Sequence, residues 1–442
     1  MAVNAPITPL GTPAVGWAQP VVGGGSAPRG RWWPRTLLAW AVIVSVIATG
    51  IMLLAQNKIR DTAWNDSYRY VVSIERYLGK SDADAQTIAL DYYCTEYART
   101  TAATTRQPTV RLDCLRTWTA QGGLGPNTAR FNEIFDSRPG YPLLAAPFVA
   151  GLGLSHGLAL LSILLTLLAG WGVLLLIRLA GGGALAALSG MVLCFILPTW
   201  YWLQQFLTES PTLVCTIAVL IGAMLLLRGR TRLGLVVSTV AYVCGFVVRY
   251  STFSVQAGCL VLTVGVLAWS SRSWRNRNAA VLAAFSAGAF VVQTVLPVVI
   301  GWPGFRNSLE DTFSNHFQRP IPSGLYGKWL ALNWHYWPQT AKDYAHDPLV
   351  PVLVVLGAVL LWRYRRDLGA VAGSAALAGL ANAAAHPLTN QLDRLYYQVY
   401  LLAVCGLPIL ADLIRGRLNR AGDAAPGPEA HEQADGSFVR ST

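Results

Sequence analysis

Runs of about 20 apolar residues recur along most of the chain, separated by short polar connections. A helix of that length rises about 30 Å, the depth of a bilayer's hydrocarbon layer. The pattern predicts ten spans, at about 36–55, 156–178, 184–203, 210–228, 233–250, 252–271, 279–300, 348–362, 368–386 and 395–414. A further apolar stretch, 141–153, is shorter and holds Pro142 and Pro147, so it reads as a surface or re-entrant segment. The fold class that follows is an all-α polytopic membrane protein with about ten transmembrane helices.

The polar intervals are unequal. Only 56–140 and 301–347 are long, and both read as folded outer loops, since long loops in a compact domain are usually functional. Residues 1–35 and 419–442 read as disordered cytoplasmic tails flanking a membrane domain at 36–418. The first span lies too deep in the chain for a cleaved signal peptide and reads as a signal-anchor.

Composition agrees with this reading and narrows it. The chain is 53% hydrophobic and 13% charged, against roughly 25% charged in soluble domains. Its net charge of +12 would suggest nucleic acid in a soluble protein. Here the arginines cluster at every second connection: Arg29, Arg31 and Arg35; Arg178; Arg228, Arg230 and Arg232; Arg272, Arg275 and Arg277; Arg363, Arg365 and Arg366; Arg415, Arg417 and Arg420. Such a bias marks cytoplasmic loops, which places both termini inside a plasma membrane and excludes a nucleic-acid partner, a cytosolic enzyme and a secreted protein. Of seven cysteines, Cys94 and Cys114 fall in the first outer loop. They are free thiols or a disulfide closing a loop of about 20 residues, the latter worth about 3 kcal/mol.

A few ionisable residues near the predicted outer surface demand a reason. Asp66, in NDSYRY, opens a helical pattern, where it caps the helix or does chemistry. Glu209, in FLTESPTL, answers a helix dipole or a ligand. Arg249 and Arg394 lie on the side where the positive-inside bias does not apply; they snorkel to headgroups or bind phosphate through the guanidinium fork. Arg138, in FDSRPGYPLLAAPF, is a third phosphate candidate. His316, His335, His346 and His386 are predicted outside without the spacing of a metal-ligand set, so a divalent metal is possible but not indicated.

In order along the chain, a signal-anchor, an early loop acid at Asp66, the RPGYPLLAAPF segment, the Thr-Glu start of FLTESPTL, the arginine of CGFVVRYSTF and the closing DRLYYQVYLLAVCGLPIL resemble the GT-C superfamily of polytopic glycosyltransferases. That group includes protein O-mannosyltransferases and lipid A aminoarabinose transferases. The family's early acid is often one of a pair, whereas Asn65 stands beside Asp66 here. The resemblance implies transfer of a sugar, with inversion, from a polyprenyl-phosphate donor to a hydroxyl of a glycan, lipid or protein acceptor on the outer face. It implies Asp66 and Glu209 as catalytic residues, and Arg249, Arg394, Arg138 and Tyr141 as substrate-binding residues. A transporter or flippase of lipid-linked sugars, or a non-catalytic scaffold of the same fold, is the alternative.

Overall fold

A computed structural model of the protein describes residues 35–59, 64–105, 109–125, 128–388, 391 and 393–423. Among them there are helices, turns and no strand. Most of both predicted tails therefore lies outside the described residues, although Arg35 already opens a helix and the last helix runs on to Asp423.

Helix α1 (Arg35–Ile59) is followed by four helices in the first long loop: α2 (Asn65–Tyr77), α3 (Asp82–Thr105), α4 (Val110–Ala120) and α5 (Ala129–Asp136). Cys94 of α3 and Cys114 of α4 form a disulfide. Tyr68, Tyr70, Ile74, Phe131 and Phe135 from this loop share one core with Tyr141, Leu158 and Phe206. Full burial of each such side chain stabilises by about 1.5–3 kcal/mol, so the loop is a folded layer seated on the helices that follow. The first of these, α6 (Gly140–Leu152), is a 13-residue apolar helix too short to cross a bilayer upright. It packs on α7 (Leu154–Leu179) and α2.

Among the described residues, seven helices are long and apolar enough to cross a membrane, eight if one bent pair counts as a span. The protein is thus membrane-embedded, with fewer such helices than the ten expected. Two expected spans take a different form for local reasons. The run 184–203 breaks into α8 (Ala184–Cys194) and α9 (Thr199–Gln204), because Pro198 cannot continue a helix that needs its N–H. The run 348–362 is α15 (Leu349–Tyr364), 16 residues long and bent by 102° from the preceding helix. Between α9 and that bent pair lie α10 (Glu209–Leu227), α11 (Thr231–Ser270), α12 (Arg277–Val299), α13 (Phe305–Phe313) and α14 (Leu325–His346). After it come α16 (Arg366–Ala385), α17 (Leu401–Gly406) and α18 (Ile409–Asp423), with Pro408 between the last two.

Helix α11, 40 residues long, covers two expected spans. It is not one rod. Arg249 leaves helical geometry for an extended conformation (φ −165°, ψ 71°), and the Tyr242 and Phe253 ring centroids come within 6.3 Å. Eleven residues of unbroken helix would separate those positions by about 16 Å. The chain therefore turns back on itself at Arg249, and both arms reach α12, through Tyr242 to Gln293 and Ser254 to Thr294.

The two ends of the helical bundle differ in chemistry. At one end the arginine-rich turns meet: Arg228 donates to the Leu179 and Ala180 carbonyls and pairs with Asp367, Arg365 donates to Ala180 and Gly181, and Asp412 accepts from the Gly183 N–H. Glu209 and Arg249 mark the other end. The 19 residues of α10 set the two ends of the bundle about 28 Å apart, close to a hydrocarbon thickness.

Candidate functional site

Four of the residues singled out in the sequence meet at the Glu209 end. Arg394 lies in the turn before the 3-10 helix Tyr397–Tyr400, with its side chain 4% exposed. Its Nε donates to Glu209 Oε1 at 2.7 Å, and a terminal nitrogen donates to Asp66 Oδ2 at 2.5 Å. The other terminal nitrogen donates to Gln391 at 3.1 Å. Arg249 donates to the same Glu209 oxygen at 3.0 Å. One guanidinium thus links two carboxylates, and one of these holds a second guanidinium. The break in α11 is what turns Arg249 to this end, since a continuous helix would carry the chain onward.

Surrounding contacts fix the arrangement. Trp202 donates to Asp393, the neighbour of Arg394, and Tyr400 bonds the same carboxylate. The Arg394 guanidinium sits over the Trp64 ring at 5.6 Å. Tyr397 donates its hydroxyl hydrogen to the Glu209 carbonyl at 3.0 Å. Gly140 lets α6 approach the α11 break, where an added Cβ would lie 2.8 Å from the Val248 nitrogen.

Asp66 stands in the first turn of α2, but the helix begins after Trp64 and no side chain caps it. The carboxylate engages Arg394 instead, so the capping reading gives way to an ion pair. Burial pushes the Asp66 carboxyl up, and the Arg394 guanidinium outweighs this, with Arg138 and Arg249 adding to it, so the group ends below its usual range. Glu209, fully buried, likewise spends its first-turn position on two arginines, and its Oε2 has no hydrogen-bond partner among the described residues.

Arg138 reaches the cluster through the Tyr70 hydroxyl and lies close enough to Asp66 to stabilise its charge. Tyr141 is brought near in a different way: it is 1% exposed and packs edge-on against Tyr70 at 5.5 Å, which makes it part of the core beneath the site. Among the described residues the cluster therefore holds two carboxylates and three guanidiniums. No group of three or more His, Cys, Asp or Glu side chains is placed to hold a metal ion among those residues.

Several further participants were noted in the sequence only as parts of motifs or as a possible metal ligand. Tyr70 lies one helical turn from Asp66, a spacing that puts both on one face of α2. Thr208 accepts from Tyr70 at the long distance of 3.5 Å. His386, at the end of α16, bonds Ser308 and Thr312 through Nδ1 at 3.2 Å each, tying α13 to the rim of the site. Burial pushes its imidazole down to about 4, which keeps the ring neutral beside the arginines. Comparison with protein-family models, curated proteins and solved structures returns no match for the chain.

Proposed function

We propose that the protein is a membrane glycosyltransferase of the GT-C type, which moves a sugar from a polyprenyl-phosphate donor to an acceptor hydroxyl at the outer membrane surface. The observation that carries this reading is the convergence of Asp66, Glu209, Arg138, Arg249 and Arg394 at one end of the spans.

Charge arithmetic supports it. Two carboxylates against three guanidiniums leave one positive charge in excess, and buried charges need partners. A polyprenyl phosphodiester brings one negative charge and makes the assembly neutral. In the transfer, the acceptor oxygen forms a bond to the anomeric carbon while the carbon–phosphate oxygen bond breaks. The acceptor proton passes to Asp66, which becomes neutral, and the leaving phosphate gains a second negative charge. The sum stays zero throughout. Asp66, once protonated, frees Arg394 to meet the charge growing on the phosphate, and a donor aimed where charge develops lowers the barrier. A positioned base of this kind contributes about 10²–10⁴-fold. Glu209 holds Arg249 and Arg394 in register. A donor with its lipid chain in the bilayer and its phosphate at these arginines also accounts for a charged site at the ends of apolar helices.

The test is transfer by the purified chain in lipid nanodiscs, supplied with polyprenyl-phosphate sugars and membrane acceptors, with products read by mass spectrometry. Asp66→Asn is expected to lower transfer by roughly 10²-fold or more while donor binding persists. Full transfer by both Asp66→Asn and Glu209→Gln variants would remove the basis of the assignment.

A further inference from the structure

The face of α2 that presents Asp66 and Tyr70 continues outward through Ser73 and Tyr77, at helical spacings of four, three and four residues. Ser73 lies about 10 Å and Tyr77 about 16 Å from Asp66 along the helix axis. Over these outer turns a cavity of about 230 Å³ opens, walled by Ser73, Arg76, Tyr77, Phe135, Asp136 and Pro139. A smaller hollow of about 20 Å³ beside it shares Ser73, Arg76, Phe135 and Asp136 and extends the groove toward Arg69. A single water needs only about 10–15 Å³ of such space, so the larger cavity admits a molecule well beyond one solvent.

We infer that this groove is the acceptor subsite, and that the acceptor it takes is a saccharide. The inference rests on the transferase reading above and commits it to one acceptor class. Position is the first argument. The groove lies against the layer formed by the first long loop, with Pro139 and Pro142 at the start of α6 closing one side, so most of its lining comes from the loop rather than from the long apolar spans. The lining is the second. Arg76, ion-paired to Asp82 through Nε at 2.8 Å, and Asp136 present guanidinium donors and a carboxylate acceptor, groups that hydroxyl-bearing rings engage. Tyr77, 49% exposed, adds an aromatic face against which the C–H side of a sugar ring stacks. A prenyl chain would leave Arg76 and Asp136 desolvated without new partners, at a cost that apolar contact does not offset. The third argument is proximity: Pro139 of the groove wall directly follows Arg138 of the charged cluster, and Ser73 stands about one helical turn from Tyr70, so the groove borders the residues that flank Asp66.

The experiment is saturation-transfer NMR on the full chain in nanodiscs, with maltopentaose, mannopentaose and arabinopentaose as probes at millimolar concentration. Farnesyl phosphate binding is measured separately on each sample. At least one pentaose is expected to bind the wild type, and Ser73→Trp, which fills the cavity, is expected to abolish that signal. Arg76→Gln with Asp136→Asn, which leaves the shape intact, is expected to weaken binding roughly tenfold or more. Farnesyl phosphate binding is expected to survive in both, which also reports that they fold. Absence of binding by all three pentaoses, or binding undiminished in both variants, overturns the groove assignment. Saccharide binding without any farnesyl phosphate binding leaves the groove standing and overturns the donor reading instead.

Discussion

Replacing Arg394 by methionine keeps most of the side-chain volume and removes the charge that joins Asp66 to Glu209. In the native protein the guanidinium is 4% exposed and makes three side-chain hydrogen bonds, two of them to carboxylates. Glu209 would retain Arg249 at 3.0 Å, whereas Asp66 would lose its direct partner. Deleting one member of a buried ion pair costs about 3–5 kcal/mol, and because the Asp66 side chain is 27% exposed and can recover hydration, the lower end applies here. That is roughly two powers of ten in the ratio of folded to unfolded protein. The acid limb should move as well. The lowered Asp66 pKa means that its ionised form contributes stability above its ordinary value of 3.8, and this is lost as pH falls through the lower folded value. Without Arg394 the upward push of burial is no longer outweighed by its nearest cation, so the loss should begin at higher pH. Equilibrium unfolding in mixed micelles across pH 3–7, on Arg394→Met, Asp66→Asn and the double variant, measures both effects. The two substitutions are expected to couple by about 0.5–3 kcal/mol. A cost under about 1 kcal/mol for Arg394→Met, or strict additivity, would refute the view that this ion pair organises the site.

Three further outcomes are expected. Gly140→Ala places a methyl 2.8 Å from the Val248 backbone nitrogen and should displace the neighbouring Arg249; about 1–3 kcal/mol of lost stability together with weaker farnesyl phosphate binding checks this. Serine at both Cys94 and Cys114 should lower the stability of the first loop by about 3 kcal/mol, with hydrogen exchange rising in α3 and α4 before the spans. His386 titrates near 4 when folded and 6.5 when not, so between those values the unfolded chain binds more protons and stability rises with pH; His386→Asn should flatten that slope in melting temperature.

The membrane class was legible because apolar length is a one-dimensional property, and so was the list of charged residues that lack an apolar reason. Asp66, Glu209, Arg249 and Arg394 stood out one by one, each with a bland local reading. Their mutual contact could not be read, since the residues of the Asp66–Arg394 pair lie 328 positions apart. The helices depart from the expected spans where backbone geometry rather than hydropathy decides. Pro198 interrupts one apolar run, and a sharp bend shortens another. Arg249 marked a boundary correctly as a polar residue between two apolar arms, yet nothing in its neighbours announces that the turn takes a single residue. His386 was noted only as an outer histidine without metal-ligand spacing, and Tyr397 only within the closing apolar motif, since tyrosine is common at a helix end near a membrane surface. Their partners, Ser308 and the Glu209 carbonyl, are supplied by tertiary packing.

Helix α10 is anchored by its charges at both extremities, Glu209 in the arginine cluster and Arg228 among the opposite turns. It can neither lengthen nor shed an anchor to suit its surroundings, so hydrophobic mismatch falls on the lipids or on tilt. A thicker bilayer would draw acyl chains over the Glu209 mouth, and a thinner one would strip them from the arginine turns. Membrane thickness is therefore a variable to which the ionic cluster answers directly, and sterol-rich or long-chain lipids should tune it without touching a single residue.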